Sequence, residues 1–294
     1  MNYGGIGRTG EAQPSREISA TDLAGWIRLT RNELRTAQTE ILNSFADFCV
    51  AHGLSYFLYA GTLIGAVRHQ GFIPWDDDID VVMPRRDYDR LHSIASEHSA
   101  INGYSLCSPS TIPGFPWPFA KIADNPGTLS IEEECDVNYK IGINIDVFPL
   151  DGRPSGAVAR WVHDQVLRVL RALMYSHQIP RKYKRSNLRE SVLVFAKPVA
   201  KLVSLDWLIH KTSSRASRYS TEYSDLVGVV VWGAPECVTA QAYSGIVELP
   251  FEERRYRVPS GYDAVLSTKY GNYLQLPPPE LQVAHHAIEA FRCC

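Results

Sequence analysis

Four aspartates fall within eight residues, Trp75-Asp76-Asp77-Asp78-Ile79-Asp80-Val81-Val82, and the apolar residues among and after them draw this acidic stretch into a buried strand. Side chains alternate along an extended chain, so Asp78 and Asp80 project from one face while Ile79 and Val81 enter the core. Carboxylates side by side on a strand repel one another. A hard divalent cation relieves that repulsion, and Mg²⁺ held by one or two carboxylates commonly serves substrate phosphates. A merely acidic loop has no need of a β pattern running straight out of it.

The residues before the aspartates sharpen the expectation. Ser55 to Ala60 reads as a buried strand, Gly61-Thr62 as a turn, and Leu63 to Arg68 as a short helix. A glycine turn that opens a helix points backbone N–H groups at an anion, and the helix dipole favours negative charge there. A strand, a glycine turn and a later Asp-x-Asp strand are the layout of a nucleotidyltransferase fold. Gly61 and Thr62 would hold nucleotide phosphates, and Asp78 and Asp80 a metal ion. The layout asks for a third carboxylate on a neighbouring strand. Gly142-Ile143-Asn144-Ile145-Asp146-Val147-Phe148 supplies Asp146 between two apolar residues. Asp151, after the Pro149-Leu150 corner, reads as a turn residue. Arg68 and His69 either reach the diphosphate or pair with Asp76 or Asp77. Lys121, on a strand heading into a turn, either offsets phosphate charge at the edge of the site or faces solvent.

At these residues the chain resembles the LicD/fukutin family of phospho-group transferases. The resemblance is carried by Tyr59-Ala60-Gly61-Thr62-Leu63-Ile64-Gly65-Ala66-Val67-Arg68-His69, by Gly71 to Asp80, by Met83 to Tyr88, by Ile145 to Asp151, and by Tyr270 to Pro278. The motif is long and ordered, unlike a lone glycine pattern. It implies transfer of a phospho-alcohol, such as phosphocholine or ribitol phosphate, from a nucleoside-diphosphate-activated donor such as a CDP-alcohol to a glycan or lipid-linked glycan. It implies Asp78, Asp80 and Asp146 as ligands of Mg²⁺ or Mn²⁺ and as the catalytic carboxylates. It also favours a site role for Lys121 and for one of His285 and His286. Asn272 stands where the family commonly has an acidic residue. Two other readings use the same residues. One is a nucleotidyltransferase that consumes a nucleoside triphosphate and releases pyrophosphate, and the other is a non-catalytic nucleotide-binding protein.

Charge is unevenly spread. The chain carries a formal net charge of −2, yet residues 153 to 218 hold 14 Lys and Arg against Asp164, Glu190 and Asp206. The cluster Arg181-Lys182-Tyr183-Lys184-Arg185 lies within this stretch. An excess of this sign points to an anionic partner, whether a membrane surface, a lipid-linked phosphate or the donor itself. Nucleic acid is not expected, because no recognition motif accompanies the basic residues. Six scattered cysteines lack zinc spacing and fit reduced thiols. Residues 1–21 lack the apolar core of a signal peptide, so a polar leader and a cytoplasmic chain, peripheral to the membrane, are expected.

The expected architecture is α+β: a mixed nucleotidyltransferase-like sheet, flanking helices and a helical insertion. Residues 22–150 form the core with a long N-terminal helix from Asp22 to His52. Residues 151–223 form the basic helical insertion, with Trp161, Val162, Leu167 and Met174 on one buried face. Residues 224–294 return to strands and a helix from Tyr262 to Tyr270. A hairpin is expected about Asn125-Pro126-Gly127, joining Phe119–Ala123 to Leu129–Glu132.

Overall fold

A computed structural model describes residues 25–98, 100–131, 140–178, 197–198, 200–232, 236–284 and 288–293. Three sheets and their flanking helices give the α+β class expected. The main sheet follows the order β2 (Phe57–Leu58), β3 (Asp80–Pro84), β7 (Ile143–Arg153), β5 (Ala120–Asp124) and β4 (Ser105–Cys107). β3 and β7 are parallel, and the other pairs on this path are antiparallel. The last residues of β7 pair with β8 (Leu226–Gly228), which pairs in turn with β9 (Val238–Thr239). A second sheet orders β1 (Trp26–Arg28), β12 (Glu289–Cys293) and β6 (Thr128–Ile131), and β10 (Ile246–Phe251) with β11 (Arg254–Pro259) makes a hairpin.

Helix α1 (Arg31–Ala51) buries Leu34, Ile41, Leu42, Phe45, Phe48 and Cys49, spaced to line one face, against β5 and β7. Its start is fixed by a capping box, in which Thr30 accepts from Glu33 N and the Glu33 carboxylate accepts from Thr30 N. That cap ends the expected long helix early. Residues 26–28 form β1 and pair with β12 at the far end of the chain. Helix α2 (Ala60–Arg68) packs on β3 and β10, and α3 (Arg85–His98) on β3 and β7. The expected helical insertion contains α4 (Ala157–Gln178) and α5 (Leu205–Ala216), which pack together. The expected helix from Tyr262 to Tyr270 is α6 (Tyr262–Tyr270).

Several local expectations change. Phe119–Ala123 and Leu129–Glu132 correspond to β5 and β6, but these do not pair with each other. β5 lies between β7 and β4, while β6 joins β12 in the other sheet. The turn between them therefore passes the chain from one sheet to the next. Asp151 is not a turn residue. β7 runs on through Pro149, which sits opposite Met83 in the parallel ladder, and the Asp151 side chain is fully buried. Its carboxylate takes two bonds from Arg85, from Nε at 2.7 Å and Nη2 at 2.9 Å. On α4, Leu167 and Met174 are buried as expected, but Trp161 and Val162 are exposed. The Lys182–Lys184–Arg185 cluster, the leader 1–21, and His285 and His286 lie outside the described residues.

Candidate active site

The acidic loop is held from three sides. Arg35 on α1 donates to the carbonyls of Ile73 (2.8 Å), Pro74 (3.0 Å) and Asp76 (2.8 Å). Gln38, one turn further on, donates to the Asp77 carbonyl (3.0 Å). Ile288 N, just before β12, donates to the Asp77 carboxylate (3.1 Å). Six successive residues from Asp76 to Val81 thus pass from a clamped loop into β3. Asp78 lies two residues before β3, which begins at Asp80, and both are half-buried while Ile79 and Val81 are buried, the alternation expected of them.

Asp80 and Asp146 are cross-strand partners in the parallel ladder. Along β7, Asn144 and Asp146 are half-buried while Ile143, Ile145 and Val147 are buried, so the two polar residues emerge on one face. Lys121 is the cross-strand partner of Asp146 on the other side. Its Nζ donates to Asp146 Oδ1 at 2.7 Å and Asn144 Oδ1 at 3.1 Å, and lies 4.8 Å from the Trp117 ring centroid. Lys121 is 3% exposed, so the solvent-facing reading is excluded. Partial burial, then the charges of Asp78, Asp146 and Asp76, hold the Asp80 carboxyl well above the usual carboxylate range. Like charges crowded together have this effect.

The expected trio was Asp78, Asp80 and Asp146. Among the described residues, Asp76, Asp77 and Asp78 form an acidic group whose ligand atoms all lie within 4.8 Å of one another. Asp78 belongs to both sets. The donor set is entirely carboxylate oxygen, crowded enough to raise the proton affinity of Asp80, and this chemistry fits a hard divalent ion.

The helix that faces this cluster begins one residue before the glycine. Tyr59 is the N-cap of α2 without a side-chain cap bond, and Ala60 takes a left-handed φ of 46°. Amides of a first helical turn have no intrahelical acceptor. Gly61 meets Asp76 closely, since a Cβ there would lie 2.4 Å from Asp76 Oδ2. A larger residue here would push the Asp76 carboxylate away from the helix end. The Thr62 hydroxyl accepts from Asp80 N at 2.8 Å, so it fixes the start of β3 to the first turn of α2. Arg68 and His69 are not brought to the carboxylates. Arg68 sits seven residues beyond Gly61, about 10 Å along the helix axis. Its Nε contacts His69 Nε2 (2.9 Å) and its Nη1 donates to the Tyr273 carbonyl (2.8 Å). Burial, then Arg68, pulls the His69 imidazole below its ordinary value. Asn272 donates to Gln275 (3.4 Å).

Sequence reading missed a second cation at the site. Lys269, in the last turn of α6, attracts Asp80 and so counters the crowding. Tyr270 beside it also feels the cluster. Although the residue as a whole is 42% exposed, burial around its phenol, then Asp80, Glu236, Asp76 and Asp78, hold that group above the ordinary tyrosine value. The motif Tyr270-Gly271 was visible in the sequence, but nothing local to it indicated that Lys269 lies near Asp80, 189 positions earlier.

The model of the LicD/FKTN/FKRP nucleotidyltransferase domain matches residues 53–121, the stretch from just before β2 to Lys121. Over 276 residues the chain is 28% identical to the lipopolysaccharide cholinephosphotransferase LicD of Haemophilus influenzae, covering 90% of this chain and 98% of that protein. The chain is thus similar to LicD proteins: about a quarter of it matches the domain model, and most of it aligns with one LicD protein. Shorter likenesses accompany this one. An uncharacterized protein of Rickettsia prowazekii is 33% identical over 67 residues, 23% of this chain and 25% of that protein. An uncharacterized protein of Caenorhabditis elegans is 30% identical over 127 residues, 42% of this chain and 29% of that protein. The match to the LicD domain spans the α2 elbow and the acidic loop, whereas Asp146 and Lys269 lie beyond it.

Proposed function

We propose that the chain is a transferase that moves a phosphocholine-type group from a CDP-alcohol to a glycan or lipid-linked glycan hydroxyl. The observation that carries this reading is the likeness along 98% of the H. influenzae lipopolysaccharide cholinephosphotransferase. The closeness of Asp76, Asp77 and Asp78 to one another, and the pairing of Asp80 with Asp146 and of Asp146 with Lys121, support it. Asp78 and Asp80, with Asp146 and the adjoining Asp76, would hold Mg²⁺ or Mn²⁺. When bound, the ion neutralises charge on the transferred phosphoryl group.

The protein's own groups have separable tasks. The first-turn amides of α2 at Gly61 and Thr62 receive the donor's diphosphate. Lys121 orients Asp146 and keeps a positive charge at the cluster. Thr62 holds Asp80 at the head of β3. Asp146 is engaged by Lys121, and Asp80 is fixed through its backbone by Thr62; either carboxylate would receive the acceptor's proton. The nucleoside monophosphate is the leaving group.

Thermal melts with Mg²⁺ and CDP-choline, CDP-ribitol, CDP-glycerol or CTP test the donor. A ligand of the folded state at about 100 times its Kd stabilises by roughly 2.7 kcal/mol. CDP-choline is expected to give this shift and to release CMP when acceptor is added. Stabilisation by CTP alone, with pyrophosphate released, would replace this reading with nucleotide addition.

We also propose contact with an anionic membrane surface. No helix among the described residues is long and apolar enough to cross a membrane. α4, the segment leading into α5 and α5 itself expose Val158, Trp161, Val169, Leu202 and Trp207. These residues lie in the basic stretch 153–218. Exposed Trp beside cations suits a headgroup interface, consistent with a cytoplasmic protein acting at the membrane. Trp161→Glu with Trp207→Glu should lose co-sedimentation with phosphatidylglycerol vesicles; unchanged sedimentation would remove this part of the proposal.

A further inference from the structure

Three residues outside the carboxylate cluster form a closed polar ring beside it. Lys269 Nζ donates to Tyr59 Oη at 2.7 Å and to Glu236 Oε1 at 2.5 Å, and Tyr59 Oη donates to the same Glu236 oxygen. The ammonium also lies 4.3 Å from the centroid of the Tyr59 ring. Tyr59 is 3% exposed and Glu236 9% exposed. The Glu236 backbone is fixed independently. Its carbonyl accepts from the buried Arg153 guanidinium, and its N donates to the Val229 carbonyl at 3.3 Å. The ring therefore joins Tyr59 to two segments that lie some 180 and 210 positions later in the chain.

Tyr59 occupies a particular place in the fold. Its N donates to the Asp80 carbonyl at 3.0 Å, and its carbonyl accepts from Leu63 N at 3.0 Å. Ala60, the next residue, has the left-handed φ of 46° that a side chain rarely adopts. Such conformations persist only where surrounding structure over-determines them. Two residues later, Thr62 takes the Asp80 N–H. The elbow thus grips Asp80 through both its carbonyl and its N–H, and the ring is the outer support of that elbow.

We propose that Lys269, with Glu236 and Tyr59, is a positioning residue that braces the Tyr59–Ala60 elbow and so holds Asp80 and the first-turn amides of α2 in working geometry. The proposal rests on the reading of the aspartates as a divalent-ion site. Lys269 acts through Tyr59 and Glu236 rather than by touching the substrate. Its charge also lies close enough to Asp80 to oppose the repulsion from Asp78, Asp146 and Asp76.

The test uses the full chain with Lys269→Met, Lys269→Arg, Tyr59→Phe, and the Lys269→Met/Tyr59→Phe pair, with the exposed Lys140→Met as control. Two quantities are read: Mn²⁺ affinity by electron paramagnetic resonance without donor, and CMP release from CDP-choline. Groups that support metal ligands change affinity or activity by about 10–100-fold when removed, and Lys269→Met is expected to fall in that range for both readouts. Lys269→Arg, which keeps the charge and donors for both oxygens, should retain most of each. Because both residues act on one elbow, the double variant should be little worse than Lys269→Met alone. Wild-type Mn²⁺ affinity in a folded Lys269→Met or Tyr59→Phe protein, or fully additive losses in the double variant, overturns the proposal. Should the parent bind Mn²⁺ but fail to turn over CDP-choline, the donor reading fails and the Mn²⁺ series still decides the brace.

Discussion

Asp80→Asn should abolish measurable transfer while leaving a folded protein. Charge stabilisation by a bound divalent ion amounts to several kcal/mol in the transition state, so losing a ligand corresponds to about a 10³-fold fall in kcat/KM or more. Stability should move in the opposite direction. The folded protein holds the Asp80 carboxyl above its ordinary value. The stability of the ion-free protein therefore declines as pH rises from the ordinary carboxylate value through the higher folded one, because the unfolded chain gives up this proton first. At neutral pH the asparagine variant without divalent ions should melt no lower than the parent. It should also lose the stabilisation that Mn²⁺ gives the parent. Near-normal CMP release from folded Asp80→Asn would dismiss Asp80 from the reaction.

The largest expected loss of stability lies away from the site, at the ion pair between Asp151 and Arg85. The Asp151 side chain is 0% exposed and that of Arg85 11%. Burial pushes the Asp151 carboxyl up against the lowering pull of Arg85. The guanidinium, despite its own burial, is held above its ordinary value by Asp151. Asp151→Ala leaves the buried Arg85 with only the exposed Asp89, 3.7 Å away, as counter-charge, and breaking a buried pair costs about 3–5 kcal/mol. Urea denaturation should show this as a fall in the midpoint. Replacing both partners by apolar residues, Asp151→Leu with Arg85→Met, should be far milder, since no charge is then stranded. Equal destabilisation by the single and double variants would show that Asp151 serves packing rather than pairing.

Asp151 also marks a limit of what the chain discloses locally. A Pro-Leu step before an aspartate signals a corner, yet β7 continues because its ladder with β3 absorbs Pro149. The competing influence is tertiary, and no window of a few residues contains it. By contrast, Asp80 and Asp146 were legible because each sits between apolar residues whose burial dictates which way the carboxylate points. Lys121 stood between two readings until the order of strands was known. Its side is set by β7 on one flank and β4 on the other. The turn at Asn125-Pro126-Gly127 was visible, but the assumption that neighbouring strands pair was wrong, since β6 takes its partner from the other end of the chain. Asp76 and Asp77 were in view as part of the run. Their placement depends on Arg35, Gln38 and Ile288, whose hydrogen-bonding roles leave no periodic trace.

The pairing of β1 with β12 bears on how the protein is made. Arg28 and Glu289, which form an ion pair across this seam, are 261 positions apart. During translation β1, and the edge of β6 that takes β12, must wait until residues 289–293 leave the ribosome. Such distant closures are slow and leave strand edges open to wrong partners. Ile288, the residue before that strand, also supplies the final tether on Asp77. A ribosome stalled short of that point would release polypeptide whose acidic loop lacks one of its three restraints.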